Sequence, residues 1–441
     1  MPKITFMGAG STVFARNILG DCMSTPCLKD SEIALYDIDA RKLKESETII
    51  GAVSKAAGAG GGIKCYLGVE RRKEALRGAD FVVNAIQVGL YDPCTIIDFE
   101  VPRKYGLRQT IGDTLGIGGI MRALRTIPVL ADFARDMEEV CPDAWFLNYT
   151  NPLAVLTGYM LRYTGVKTIG LCHSVQGCSA DLLRDLGMND AIAGRRELIA
   201  GINHMGWLLD IRDRDGGDLY PEIRKRAAAK NAGEKHYDMV RYDYIDKLGY
   251  YCTESSEHNA EYNPFYIKSA YPELIERFNI PLDEYPRRCV AQIARWGEDY
   301  KRLAQESAEP HTRSFEYASR IMESMITGTP YKLGGNVMNY GNLIENLPRE
   351  SCVEVPCMVD NYGIRGTYVG ELPVQLAAMN MTHVNVHMIT IEAAATLKRE
   401  HIYHAAMMDP HTAAELPLDK IRAMVDDLIE AHGDWLPRYK A

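Results

Sequence analysis

Ile4-Thr5-Phe6-Met7-Gly8-Ala9-Gly10-Ser11 is an apolar run that stops at Gly-Ala-Gly. As a strand turning into a helix, it sets two glycines where a tight turn and the close approach of a pyrophosphate require them. The helix that follows from about Ser11 offers its free N–H groups to an anion. The third glycine of the full fingerprint is absent, since position 13 is Val. Gly8, Gly10 and Ser11 are therefore candidate dinucleotide ligands, with an ordinary strand-to-helix turn as the alternative.

The residues outward from this turn favour the first reading. A second strand, Ile33-Ala34-Leu35-Tyr36-Asp37, ends on a carboxylate 27 residues past Gly10. A carboxylate there accepts the ribose hydroxyls and repels a 2′-phosphate, so Asp37 points to NAD rather than NADP. A helix over 71–79 leads to Phe81-Val82-Val83-Asn84-Ala85-Ile86, the nearly continuous apolar run of a strand buried on both faces. After a glycine-rich turn at 112–119, a long amphipathic helix runs through Glu139, and strands follow at 145–149 and 168–171. The first of these ends at Asn151-Pro152, where Asn can cap a helix and Pro suits its first turn; the second ends at Cys172-His173-Ser174, with Ser as the cap. Asn151 and Cys172 are 21 residues apart, about one crossover. Both should emerge on the carboxyl edge that carries Gly8, where open α/β sheets bind ligands.

Beyond about residue 195 the alternation stops: 199–211 reads as strand, 215–330 is rich in charge, Tyr and helix, and 375–400 is a long helical stretch. The expected class is α/β, a Rossmann-like parallel sheet domain over 1–195 followed by a mixed α+β domain over 196–441, a lactate/malate dehydrogenase-like architecture. A chain of 441 residues exceeds what one hydrophobic core usually holds, and 46% hydrophobic residues are ample for two lobes. Fifty-nine acidic residues against 50 basic ones give a net charge of −9, and no Lys/Arg stripe offers a footprint for a phosphate backbone, so nucleic acid is excluded as a partner. No apolar run approaches membrane-spanning length and no leader pattern precedes the first strand, so a cytoplasmic protein with no membrane association is expected. The 11 cysteines are odd in number and scattered from Cys22 to Cys357 without a CxxC pattern, as expected of buried thiols in a reducing compartment.

Several polar residues on the ligand edge suit chemistry. Cys172 as a thiolate and His204 as a neutral imidazole could hold a borderline divalent cation with open positions for water or substrate. A buried Cys beside a satisfied His is the competing reading. His173 could act as an acid or base at its strand end, and Asn148 and Asn151 could bind a polyol or a nicotinamide amide. Thr253-Glu254-Ser255-Ser256-Glu257-His258 gathers more carboxylate, hydroxyl and imidazole than a solvated loop needs, although an exposed helix start would also use it. Asp113-Thr114-Leu115-Gly116-Ile117-Gly118-Gly119 allows a ligand close to the backbone, as it would any turn.

Six blocks together resemble the NAD- and manganese-dependent glycosidases of glycoside hydrolase family 4: Gly8-Ala9-Gly10-Ser11, Gly112-Asp113-Thr114, Arg122-Ala123-Leu124-Arg125, Asn148-Tyr149-Thr150-Asn151-Pro152, Cys172-His173-Ser174-Val175 and Gly201-Ile202-Asn203-His204. The resemblance runs from end to end. It is nearest to the melibiase-type α-galactosidase branch through Cys172-His173-Ser174-Val175-Gln176-Gly177, the 253–258 run, Val353-Glu354-Val355 and the tail from Tyr403 to Ala414. It implies NAD, Mn²⁺ or another divalent cation, a small α-D-galactoside such as melibiose as substrate, and a homodimer or homotetramer. Hydride passes from C3 of the sugar to NAD⁺, and a protein base takes the C2 proton acidified by the metal-polarised ketone. The glycosidic oxygen then leaves by elimination. Water adds at C1, C2 is reprotonated and hydride returns, giving hydrolysis with retention and no net redox.

The resemblance also implies roles. Cys172 and His204 match the metal ligands, Asn151 the substrate-contacting Asn, and His173 the position that assists the leaving group; Asn148 and His258 are, from the residues themselves, further candidate substrate contacts. The family base, a Tyr or Asp in the segment aligned with 255–262, has no obvious equivalent; Glu257 and Tyr262 are the candidates, with His258 beside them. An α-glucuronidase or α-galacturonidase of the same family is the nearest competitor in specificity. An NAD-dependent 2-hydroxyacid dehydrogenase would share the first 150 residues but need no metal. A nucleotide-sensing protein without catalysis would give Cys172 and His204 no reason to meet.

Overall fold

The computed structural model describes residues 1–440. One sheet of 12 strands runs through it: β1 (Lys3–Met7), β2 (Glu32–Asp37), β3 (Ile63–Leu67), β4 (Phe81–Asn84), β5 (Trp145–Asn148), β6 (Lys167–Gly170), β7 (Arg196–Ile202), β8 (Met205–Arg212), β9 (Tyr251–Cys252), β10 (Tyr331–Met338), β11 (Cys352–Asp360) and β12 (Gly363–Gly366). The first six lie parallel in the order β3-β2-β1-β4-β5-β6. That order reverses between β1 and β4, the switch point at which doubly wound sheets open a crevice for a dinucleotide. The α/β reading with a Rossmann-like parallel half followed by a mixed half is what the chain adopts. All four residues of β4 are buried, as a strand covered on both faces must be.

The remaining strands extend this sheet without a break. β10 pairs antiparallel with β6 at Asn336 and Gly170, β11 follows β10, and β11 meets β7 at Glu354 and Gly201, with β8 and β9 beyond. Neither β10 nor β11 was expected from the sequence. The stretch 199–211, expected as one strand, is a hairpin: β7 and β8 pair from Ile202 and Met205 outward, with Asn203 and His204 as the two turn residues. Without a Gly in the turn, the pair reads as uninterrupted strand, because Asn-His carries only half of the usual turn signal.

Helices cover both faces. The Thr12–Met23 helix packs on the Ala40–Ala57 helix, and the Val374–Thr396 helix packs against Gly116–Val140 and Leu153–Tyr163. Two helix starts differ from expectation. His173, not a later residue, opens the His173–Asp185 helix, with Cys172 in the capping position, and Pro152 rather than Asn151 precedes the Leu153–Tyr163 helix. Neither the Cys172 nor the Asn151 side chain makes a capping hydrogen bond. Among the described residues, no helix is long and apolar enough to cross a membrane.

Candidate active site

The turn after β1 is held as close packing demands. Gly8 has φ +83°, and a Cβ there would lie 2.8 Å from the Ala85 carbonyl. Only glycine lets the two strand ends come this near. The Gly10 N–H donates to Asp37 Oδ2 at 2.6 Å, and the Asp39 N–H donates to Asp37 Oδ1 at 2.9 Å. Each carboxylate oxygen retains a lone pair for a further donor. Ser11 makes no side-chain cap, so the first-turn N–H groups of Thr12–Met23 remain available to an anion.

Three residues from distant parts of the chain converge nearby. The Cys172 thiol, a ring nitrogen of His204 and a Glu254 carboxylate oxygen all lie within 4.8 Å of one another. Two of them hold left-handed backbone, His204 at φ +65° and Glu254 at φ +63°. Non-glycine residues adopt it rarely and at a cost of about 1–3 kcal/mol, which persists where the surroundings impose it. A thiolate, an imidazole and a carboxylate suit a borderline divalent cation and leave open positions for sugar oxygens. Tyr262 supports this arrangement: its ring stacks on His204 and its hydroxyl lies 2.8 Å from Nδ1, while Nε2 faces Glu254 at 3.2 Å. A ligating imidazole is commonly steered this way through its second nitrogen.

The electrostatics follow from the crowding of anions. Burial disfavours a charged His204, yet Glu254 and Cys172 outweigh burial and hold its pKa up to about 10. A cation would replace that proton. Burial likewise opposes ionisation of Glu254, but His204 and His258 pull it down to about 2. His258, buried and crossing edge-on against His204, is pushed below the usual range by burial despite Glu254. Its Nδ1 lies 2.8 Å from Ser255 Oγ and its Nε2 lies 3.9 Å from Asp113. Asp113 also accepts from Thr114 Oγ1 at 2.7 Å and faces Arg122 at 4.0 Å.

The other expected residues divide. His173 lies beside Cys172 with Nε2 2.7 Å from Glu316; burial opposes its charge, and the carboxylate more than offsets that, so its pKa is raised. Asn151 spends no side-chain bond on capping its helix. Asn148 is fully buried, bound by Asn84, the Thr150 N–H and Thr157, so its amide braces the ends of β4 and β5 and leaves nothing for a sugar. Glu257 pairs with Arg288 and is not among the groups that meet at Cys172 and His204. The Tyr262 hydroxyl is occupied by His204. Sequence reasoning passed over Glu254, Asp113 and Glu316. Glu254 was inside a run already singled out, and Asp113 inside the glycine-rich turn; Glu316 had no local signal, because only the fold brings it to His173.

Fold and site together define a dinucleotide-type α/β protein with a thiol, an imidazole and a carboxylate gathered on its ligand edge, a donor set that could hold a divalent cation. Residues 3–188 match the family 4 glycosyl hydrolases and residues 199–412 match the family 4 glycosyl hydrolase C-terminal domain. The chain belongs to glycosyl hydrolase family 4. It is 58% identical over 440 residues to an α-galactosidase of Bacillus subtilis (strain 168), covering 100% of both chains, and 34% identical over 450 residues to an α-galactosidase of Rhizobium meliloti (strain 1021), covering 99% and 89%. A solved Bacillus subtilis protein superposes with a TM-score of 0.85 at 25% identity over 97% and 99% of the two chains. A 6-phospho-α-glucosidase from gut microorganisms, solved with NAD and Mn²⁺, shares the fold at TM-score 0.78 and 19% identity, covering 100% of both chains. The malate dehydrogenase of Cryptosporidium parvum does so at 0.51 and 14%, covering 90% and 99%.

Proposed function

We propose that this protein is a retaining α-galactosidase that hydrolyses terminal α-D-galactosides of the melibiose type, using NAD and a divalent cation such as Mn²⁺. One observation carries the reading: Cys172, His204 and Glu254, far apart in sequence, meet within 4.8 Å on the edge that holds the Gly8 turn. The likeness to the two α-galactosidases supports the choice of sugar. We take 1–195 as the NAD-binding unit and 196–441 as the unit that brings His204 and Glu254 to it.

When bound, NAD⁺ supplies a hydride acceptor and donor for C3 of the sugar, and the cation supplies Lewis-acid polarisation of the oxygen there. Gly8, Gly10, Ser11 and Asp37 would bind the dinucleotide; Cys172, His204 and Glu254 would hold the cation, with Tyr262 orienting His204. Asn151 binds sugar hydroxyls. His258, buried edge-on against His204 with its Nε2 3.9 Å from Asp113, is the C2 proton acceptor that fits best, since Glu257 pairs with Arg288 and the Tyr262 hydroxyl with His204. His173 carries the proton to the glycosidic oxygen as it departs.

The test is release of p-nitrophenol from its α-D-galactoside, with thiol present and with NAD⁺ and Mn²⁺ supplied or withheld. Turnover that needs both without accumulating NADH supports the reading. Steady NADH formation from a hydroxy acid would replace it with the dehydrogenase, and turnover of uronides alone would replace the sugar.

A further inference from the structure

Glu316 reaches His173 from a strap, residues 307–317, between the Glu284–Glu306 and Ala318–Thr327 helices. The strap is pinned along the Thr12–Met23 helix, whose amino end carries the Gly8 turn. Arg16 Nε donates to Ser307 Oγ at 3.0 Å. Asp21, fully buried, takes His311 Nε2 at 2.8 Å and the Ser314 N–H at 2.8 Å on Oδ1, and the Ser314 hydroxyl at 2.6 Å on Oδ2. The His311 ring fills the space over Gly20, where a Cβ would lie 2.6 Å from it. Past this lock the chain enters the site: Glu316 Oε2 meets His173 Nε2 at 2.7 Å, and the Tyr317 hydroxyl donates to the Cys172 carbonyl at 2.9 Å. Phe14, Tyr149 and Tyr317 surround the His173 ring at centroid separations of 6.0, 5.9 and 6.4 Å.

A buried carboxylate is costly unless its hydrogen bonds repay the lost water. Glu316 is buried, and among the described residues its one ion-pair partner is His173, whose side chain is 54% exposed. Two anchors and a glycine inside a helix serve to bring that carboxylate to one accessible imidazole. We propose that Glu316 is a positioning residue for the reaction above: it fixes the His173 ring by Nε2, so that Nδ1, which has no hydrogen bond among the described residues, meets the leaving oxygen. This rests on the α-galactosidase reading. As the electron pair left at C2 forms the C1–C2 double bond, the C1–O bond breaks, the oxygen keeps its electrons and takes the proton from Nδ1. When water later adds at C1, Nδ1 takes that proton back.

The comparison is between methyl α-galactoside, a poor leaving group, and p-nitrophenyl α-galactoside, a good one, with the NAD- and Mn²⁺-loaded enzyme in D₂O. For Glu316→Gln, turnover of the methyl glycoside should fall by about 10- to 100-fold and of the aryl glycoside by less than about threefold, as expected when a proton donor is misplaced. Unreacted methyl glycoside should carry deuterium at C2, because the proton has left and returned without bond cleavage. Glu316→Asp should recover part of the loss, and it serves as the variant should the Gln form be poorly folded. Equal losses on both glycosides without deuterium exchange would make Glu316 merely structural, and no loss would remove it from the reaction; either overturns the proposal. A wild type inactive on both galactosides would instead fail the underlying reading, and the same comparison would then be made with the α-galacturonides.

Discussion

His204 shows how little of the proposed cation site is contiguous in sequence. Its ring is aimed by Tyr262 from one side and met by Cys172 and Glu254 from the other, and its own backbone is held at φ +65°. Cys172→Ser and Glu254→Gln should each abolish tight Mn²⁺ binding, read by the free-Mn²⁺ paramagnetic resonance signal, while NAD affinity stays within about twofold of wild type, because no cofactor contact is touched. Unchanged Mn²⁺ binding in Glu254→Gln would remove the carboxylate from the ligand set. Tyr262→Phe loses only the hydroxyl on Nδ1, so Mn²⁺ affinity should drop by about 10- to 100-fold, the usual effect of releasing a metal-bound imidazole from its second partner. Asp37→Ala should weaken NAD binding selectively, measured by quenching of protein fluorescence; unaltered affinity would mean that its bonds to Gly10 and Asp39 are its whole task.

At the scale of elements, what was legible depended on whether the signal was local. The Gly8 turn, the acidic end of β2 and the apolar run of β4 each announce themselves within a few residues, and so did Cys172 at the end of β6. The β7–β8 hairpin did not, because its turn lacks Gly, and β10 and β11 did not, because they join the sheet through partners more than 100 residues away. Glu257 was a candidate because it lies in the 255–262 segment, whereas Glu254, just before the helix that opens at Ser256, gave no local sign that it turns inward to Cys172 and His204. The strap at 307–317 was equally silent, since its meaning lies in Asp21 and Gly20. Gly20→Ala tests that element. In an open helix the change gains about 1 kcal/mol of propensity. Here the methyl meets His311, so urea unfolding should show a loss of about 1–3 kcal/mol. A gain in stability would mean that the strap is loosely held.

For the whole molecule, the continuous sheet makes the proposed cation site depend on chain segments that meet only in the folded state, and titration reports on that joining. Glu261 accepts N–H bonds from Thr110 and Gly112, linking the helix that bears Tyr262 to the turn that bears Asp113. Burial pushes its pKa from 4.5 up to about 7, against the pull of those donors. Between these values the folded protein keeps a proton that the unfolded chain has released. The stabilising contribution is therefore complete below about pH 4.5 and is lost as the pH rises through 7. Unfolding free energy of wild type relative to Glu261→Gln should fall across that window; a flat difference would show that Glu261 is ionised throughout. Light scattering of the purified protein should report the expected homodimer or homotetramer.

Hydrolysis of p-nitrophenyl α-galactoside in D₂O, with the released galactose analysed by proton resonance, tests the elimination chemistry most directly. One deuterium at C2 of every galactose released, with turnover dependent on NAD⁺ and Mn²⁺, is the expected result, because C2 must lose its proton and regain one from solvent. Galactose that keeps its C2 hydrogen, released at the same rate without cofactor or metal, would contradict the account.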